Sequence, residues 1–232
     1  MFLGRGARAV ALLVVWFGAL SHETRAQAVP GREEVLQRLD ALAAVGDGIV
    51  RKWPGEVRYA LIGRFDAAHV AGVRETIEAV RAATGLRVED VTRDDRDPNL
   101  LFIFANNVDA TVGDLALAAR LIGPGETFVE YFARLRATLG RAGIFSSRRF
   151  EGGDIVSVAV VVNARLDNGD AALGARMAVA GFMDDTRLAL DGIDAAVLAA
   201  LYRTEVESGG RYADQRDALA DATLRALTAR AR

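Results

Sequence analysis

The spacing of apolar positions along the chain predicts a protein that combines strands and helices. Apolar residues at three- and four-residue steps indicate amphipathic helices, and unbroken β-branched or aromatic runs indicate buried strands. Helices are predicted at residues 32–45, 67–84, 111–122, 126–139, 171–183, 193–205 and 213–230, and strands at 57–62, 87–91, 99–105 and 154–163. This order predicts an α/β (α+β) fold with a mixed β-sheet, helices packed on it and a helical C-terminal tail.

The ends of several elements carry their own signals. Asp66 is a suitable N-cap and Gly85 a suitable C-terminal stop for the helix at 67–84. Gly123-Pro124-Gly125 separates two predicted helices, and Gly152-Gly153 and Ser208-Gly209-Gly210 are expected to form turns.

The N-terminus has the features of a secretory signal peptide. Arg5 and Arg8 precede the apolar run 9–20, and Ala26-Gln27-Ala28 offers a small-x-small cleavage site. The run is too short to span a bilayer as a helix. We therefore expect a signal peptide at 1–28, an N-terminal helical segment at 29–52, and a single α/β domain at 53–232 whose helical tail is 171–232. The expected location is the periplasm or the exterior, without stable membrane insertion after cleavage.

Composition excludes several classes of chemistry. The 232 residues include no cysteine, which excludes disulfides, thiol nucleophiles and zinc–thiolate sites. Of the two histidines, only His69 would survive cleavage, so a His-Glu-x-x-His zinc site cannot form. A formal net charge of −2 gives no expectation of nucleic-acid binding. No nucleotide-binding glycine motif is present, and no cofactor is predicted.

Carboxylates are the remaining candidates for chemistry. Asp184, Asp185 and Asp191 flank helix junctions and could serve a hydrolase with a divalent cation, although helix capping is their ordinary role. Glu126 and Glu130 form a second pair, for which a first-turn helix-dipole role is the alternative.

A loop of acidic residues has partial metal-ligand spacing. Asp95, Asp97 and Asn99 are spaced like the first ligands of a calcium loop, but the required glycine and terminal glutamate are replaced by Leu100 and Asn106. A solvated loop is the preferred interpretation.

The stretches 53–63, 155–162, 181–185, 194–202 and 209–210 together resemble a group of exported bacterial proteins, those of domain of unknown function 2927, which are similar to zincin-type metalloproteases. The first stretch, 53–63, resembles that family's first strand with its leading aromatic residue, and 155–162 resembles the strand before its active-site-like helix. The segments 181–185, 194–202 and 209–210 resemble its closing turn, its Asp-x-x-x-Leu-x-x-Leu-Tyr segment and its glycine. The resemblance spans about 53–215 and implies a zincin-like outline.

The chain departs from the family where a catalytic helix would lie. Family members carry Glu and Gln there, whereas 172–180 offers Arg176 as its only charged side chain. We therefore expect a non-catalytic protein of the bacterial envelope, with a degenerate metalloprotease-like fold, that binds an envelope protein, a peptide or a second copy of itself. The alternatives are the aspartate-dependent hydrolase and an adaptor that docks partner helices on the apolar face of 212–232, formed by Leu219, Ala222, Ala226 and Leu227.

Overall fold

The computed structural model describes residues 29–44, 47–123, 125–165 and 189–230. Within these ranges the helices are α1 (Arg32–Ala43), α2 (Ala67–Thr84), α3 (Val108–Val112), α4 (Leu115–Leu121), α5 (Phe128–Ala142), α6 (Gly192–Leu201) and α7 (Tyr212–Arg230). The strands are β1 (Val57–Gly63), β2 (Val88–Asp90), β3 (Leu100–Ala105), β4 (Ile144–Glu151) and β5 (Asp154–Asn163). The predicted signal peptide at 1–28, the helix at 171–183 and Asp184 and Asp185 lie outside the described residues.

The strands form one mixed sheet in the order β2-β1-β3-β5-β4. Four strands are parallel, and β4 pairs antiparallel with β5 at one edge. Every residue of β3 is buried, as its unbroken apolar sequence predicted. The predicted α/β class, with a mixed sheet and helices packed on it, is therefore confirmed.

Helices cover both faces of this sheet. Alternate residues of β3 divide between two cores: Leu100, Phe102 and Phe104 pack in one, and Leu101 and Ile103 in the other. The larger core also contains buried residues of α1, α2, α6 and α7, whereas the smaller core contains those of α4 and α5. The N-terminal helix and the C-terminal tail therefore belong to the same core as the central strands.

The last helix packs inside the protein. Leu219 and Ala222 of α7 are at most 1% exposed, and Ala226 and Leu227 are buried as well. Polar contacts join α7 to α1, where Asp40 accepts hydrogen bonds from Tyr212 and Arg216. Because the apolar face of α7 is already covered, the adaptor hypothesis that relied on it is wrong. None of the helices within the described ranges combines the length and the apolar character needed to cross a bilayer.

The pattern-based prediction was wrong between residues 108 and 153 in two respects. Residues 144–151 form strand β4, where the sequence pattern had predicted no element. The helix predicted at 111–122 is two short helices, α3 and α4, with Gly113 as the C-cap of the first. Among the described strands, β4 lies at an edge of the sheet, where polar and charged side chains are common, so its centre lacks the apolar run that marks the buried strands.

Three loops meet where two glycine turns touch. Gly153, in the turn between β4 and β5, has a φ of 97°, and a Cβ built there would lie 2.3 Å from Cα of Gly209. Gly209 has a φ of 84°, and its N–H donates to the carbonyl of Val50. Ser208 donates its hydroxyl to the carbonyl of Gly153 at 3.0 Å. These two glycines are therefore required by close backbone contact as well as by turn geometry.

Candidate functional site

The aspartates near α6 do not gather into a site within the described residues. Asp191 is the exposed N-cap of α6, and its side chain makes no capping hydrogen bond. Asp194 is buried, and its carboxylate accepts two hydrogen bonds from the Arg38 guanidinium, at 2.6 and 2.5 Å, and one from the N–H of Ala189. Asp194 is thus a structural anchor between α1 and α6. The hydrolase hypothesis built on Asp184, Asp185 and Asp191 stays a prediction, because two of its residues fall outside the description.

The loop with calcium-like spacing is held by hydrogen bonds to β1. The side-chain oxygen of Asn99 accepts from the N–H of Arg58 at 2.7 Å, and its amide group donates to the carbonyl of Glu56. Asp95 and Asp97 are exposed. Over the described ranges, no three side chains among His, Asp and Glu lie close enough to hold a metal ion.

His69 takes part in the start of α2. Its Nδ1 accepts from the N–H of Asp66 at 3.1 Å, while the Asp66 side chain accepts from the N–H groups of Ala68 and His69. The imidazole is 7% exposed and lies edge-on to the ring of Phe104, with centroids 4.8 Å apart. The predicted cap at Asp66 is confirmed, and this reciprocal arrangement gives the histidine a structural role.

The paired glutamates are occupied by local structure at the start of α5. Glu126 precedes the helix and accepts two hydrogen bonds of 2.7 Å from Arg134 and one from the N–H of Gly123. These bonds, with Arg134 the largest cause, lower the pKa of Glu126 to about 2. Glu130 forms a capping box with Thr127, the residue that begins the helix. The pair therefore stabilises a helix terminus, as the alternative interpretation proposed.

A groove of about 700 Å³ follows the outer edge of β4. Its floor and one side are formed by Ser146, Ser147 and Arg148 of β4. The opposite wall comes from the end of α4, the loop that follows it and α5, through Leu121, Gly123, Gly125, Glu126, Glu130 and Arg134. The groove therefore lies between a strand edge and a helix.

The backbone of β4 points into this groove at alternate residues. The N–H of Asn163 donates to the carbonyl of Gly143 at 2.6 Å, so these two residues form a hydrogen-bonded pair at the start of the ladder. Such pairs alternate in antiparallel ladders, so Phe145 and Ser147 bond to β5, whereas the N–H and C=O of Ser146 point away from it. No described residue hydrogen bonds to the backbone of Ser146. This edge can therefore accept a further strand.

Charged side chains of both signs lie along the β4 edge and its groove. Burial, followed by the nearby charge of Arg51, lowers the pKa of Arg148 to about 10, so its guanidinium is still charged at neutral pH. Arg51 stacks on the ring of Phe150 at 4.2 Å and is paired with Asp47. Arg149 is largely exposed and lies 3.9 Å from the nearest carboxylate oxygen. Two arginines, Arg134 and Arg148, thus line the groove together with Glu126 and Glu130, whose carboxylates take part in local hydrogen bonds.

Sequence reasoning missed this groove because it missed the strand. The usable signal was the sequence Ile-Phe-Ser-Ser-Arg-Arg-Phe-Glu followed by Gly-Gly and a strong strand, which is the pattern of a hairpin with a charged edge. No family model matches the chain, and comparisons with curated proteins and with solved structures found no match either. The resemblance to the exported family therefore stays a prediction.

Proposed function

We propose that this chain is a non-catalytic binding protein of the bacterial envelope that holds an extended acidic peptide along the outer edge of β4. The observation that carries the proposal is the groove beside this edge, into which the N–H and C=O of Ser146 point. A peptide that adds a strand to a sheet gains main-chain hydrogen bonds whatever its sequence, and neighbouring side chains set its preference.

Charge favours an acidic peptide over a second copy of the chain. Antiparallel pairing of two β4 strands would bring Arg149 of both copies to one interface, which costs free energy through like-charge repulsion. A peptide with carboxylates at alternate positions would instead place a carboxylate beside the exposed Arg149. The groove's Glu126 does not oppose such a peptide strongly, because Arg134 already neutralises it.

Export and family membership complete the proposal. Residues 1–28 have the composition of a cleavable signal peptide. The fold brings together two of the stretches that carry the family resemblance, since the N–H of Trp53 lies 3.5 Å from the Tyr202 hydroxyl. Cell fractionation with N-terminal sequencing tests export: a periplasmic or secreted chain that begins at Val29 is expected, and an intact cytoplasmic chain would contradict it.

The strand-addition test uses a backbone change at one position. A fluorescein-labelled peptide in which glutamate alternates with valine is titrated with the purified protein and followed by fluorescence anisotropy. Ser146→Pro removes the N–H that points into the groove but no hydrogen bond to β5, and proline is tolerated at such edge positions. We expect the variant to bind at least about tenfold more weakly.

Two controls separate the backbone from the side chains. Ser146→Ala keeps the N–H and should bind like the wild type, while Arg149→Glu should weaken the glutamate peptide but not a glutamine-substituted one. Circular dichroism and urea unfolding verify that each variant is folded. A folded Ser146→Pro protein with unchanged affinity would refute strand addition, and absence of wild-type binding to the peptide would refute the proposed ligand.

A further inference from the structure

A second cavity lies at the other side of the sheet, beyond the carboxyl ends of β1 and β2. It has a volume of about 970 Å³ and is a slot between α2 and the segment that follows β2. Its apolar lining consists of Leu61, Phe65, Ala67, Val70 and Ala71, and its polar lining of Arg74, Asp90, Thr92 and Arg93. Crevices outside the carboxyl ends of parallel strands are the usual ligand sites of open α/β sheets, and this volume is that of a small-molecule site.

The local sequence explains why the slot is open. Strand β2 ends at Asp90, and the hydroxyl oxygen of Thr92 then accepts the N–H of Leu61 at 3.1 Å. A side chain thus takes the position in which a longer β2 would have continued the ladder. On the other wall, α2 presents the small residues Ala67 and Ala71 to the slot, opposite the buried side chain of Leu61.

The charges around the slot are unequal. Arg74 lies 3.1 Å from Asp90, so the one carboxylate of the lining is paired. Arg93 is exposed and makes no hydrogen bond or ion pair with any described residue. The lining therefore has an apolar floor, a neutralised pair at one side and an uncompensated cation at its rim.

We propose that this slot binds a small amphiphile with an apolar body and a single carboxylate, which pairs with Arg93. The apolar body would cover Leu61, Phe65 and Val70, and the carboxylate would accept hydrogen bonds from the guanidinium at the rim. A cationic head group would meet Arg93 unfavourably, and a neutral one would lose the charge-assisted hydrogen bond. The site is separate from the β4 groove and does not depend on the peptide-binding proposal.

The test compares three ligands that share one chain length: decanoate, decanol and decyltrimethylammonium, below their aggregation concentrations. Isothermal titration calorimetry should show one decanoate bound per chain, at least about tenfold weaker binding of decanol, and weaker binding still of the cation. Arg93→Gln should weaken decanoate by about tenfold and leave decanol unchanged.

A matched pair of variants locates the site. Ala71→Trp places an indole in the slot and should abolish decanoate binding, whereas Ala68→Trp adds the same bulk to α2 outside the lining and should retain it. Equal binding of decanoate by Ala71→Trp, or equal affinity for decanoate and decanol, would overturn the proposal. Displacement of decanoate by the glutamate peptide would also overturn it, since the slot would then be a peptide site.

Discussion

The contact between Gly153 and Gly209 allows a sharp test of the three-loop junction. In Gly153→Ala, the new Cβ would lie 2.3 Å from Cα and 2.6 Å from N of Gly209. Both are backbone atoms, so no flexible side chain can move aside. The neighbouring Gly152 also has a positive φ, of 57°, but a Cβ there meets no atom within 4 Å. Gly152→Ala is therefore a matched control in the same turn.

The structure gives different magnitudes for the two substitutions. A non-glycine residue at positive φ costs about 1–2 kcal/mol, which is the whole expected effect of Gly152→Ala. At Gly153 the collision with Gly209 adds an overpacking cost of about 1–3 kcal/mol. The expected loss of unfolding free energy is therefore about 2–5 kcal/mol for Gly153→Ala.

Urea unfolding followed by tryptophan fluorescence measures both losses. Trp53 is buried at 3% exposure, so its emission should report the transition. A difference of about 2 kcal/mol between the two alanine variants is expected. If both variants lose the same free energy, Gly153 does not touch Gly209, and the junction of the three loops would be refuted.

Three further predictions concern polar side chains and their hydrogen-bond partners. Arg38→Met should lower the free energy of unfolding by about 2–3 kcal/mol, because the carboxylate of Asp194 loses its cation. Adding Asp194→Asn to this variant should recover part of the loss in urea unfolding. Simple additivity of the two substitutions would contradict the pairing. Tyr131→Phe should leave the unfolding free energy unchanged or raise it by up to about 1 kcal/mol, since the buried hydroxyl has no hydrogen-bond partner among the described residues. Tyr212→Phe, which loses a hydrogen bond to α1, should instead lower the unfolding free energy by about 1 kcal/mol. Equal effects of the two substitutions would argue against this assignment. The free energy of unfolding should fall as pH drops from about 4.5 towards 2, because the pKa of Glu126 is lowered to about 2 in the folded protein. The stabilisation is complete above the pKa of the unfolded state and is lost as the folded carboxylate protonates. Glu126→Gln should flatten this pH dependence, and an unchanged slope would exclude Glu126 as its cause.

The elements that follow from the sequence are those whose signal is local. Asp66 and Gly85 bound α2 as predicted, because a capping oxygen and a left-handed glycine act on neighbouring backbone groups. Strand β5 occupies the predicted residues 154–163, because burial on both faces requires an apolar run. Strand β4 has no such apolar run. It is held in the sheet by backbone hydrogen bonds to β5 on one side, and the side chains of β4 do not specify these bonds.

The candidate sites are harder to predict from the sequence, because each one forms where a strand lacks a neighbour or ends early. The groove exists because no described strand pairs with the outer edge of β4. The slot exists because Thr92 ends the ladder of β2. The sequence pattern pointed to acidic clusters, yet Asp194 is paired with Arg38, which is distant in sequence, and Glu126 is paired with Arg134, eight residues along the chain. Such pairing becomes apparent only in the folded structure, where α1 contacts α6 and Arg134 of α5 reaches back to Glu126, which precedes the helix.

The strand order separates the two proposed sites by the width of the sheet. The slot lies beyond β1 and β2 and the groove lies beyond β4, so up to four interstrand spacings, about 19 Å, separate them. They share no lining residue. A ligand alters affinity at a second site only if it binds two states of the protein unequally, and nothing in this geometry supplies a second state. Saturating decanoate should therefore change the dissociation constant of the glutamate peptide by less than about twofold, Arg93→Gln should leave peptide binding unchanged, and Ser146→Pro should leave decanoate binding unchanged. A larger effect in any of these three anisotropy or calorimetry measurements would mean that the two ligands compete for one surface, or that binding at one edge changes the conformation of the sheet at the other. The assignment of two independent edges would then fail.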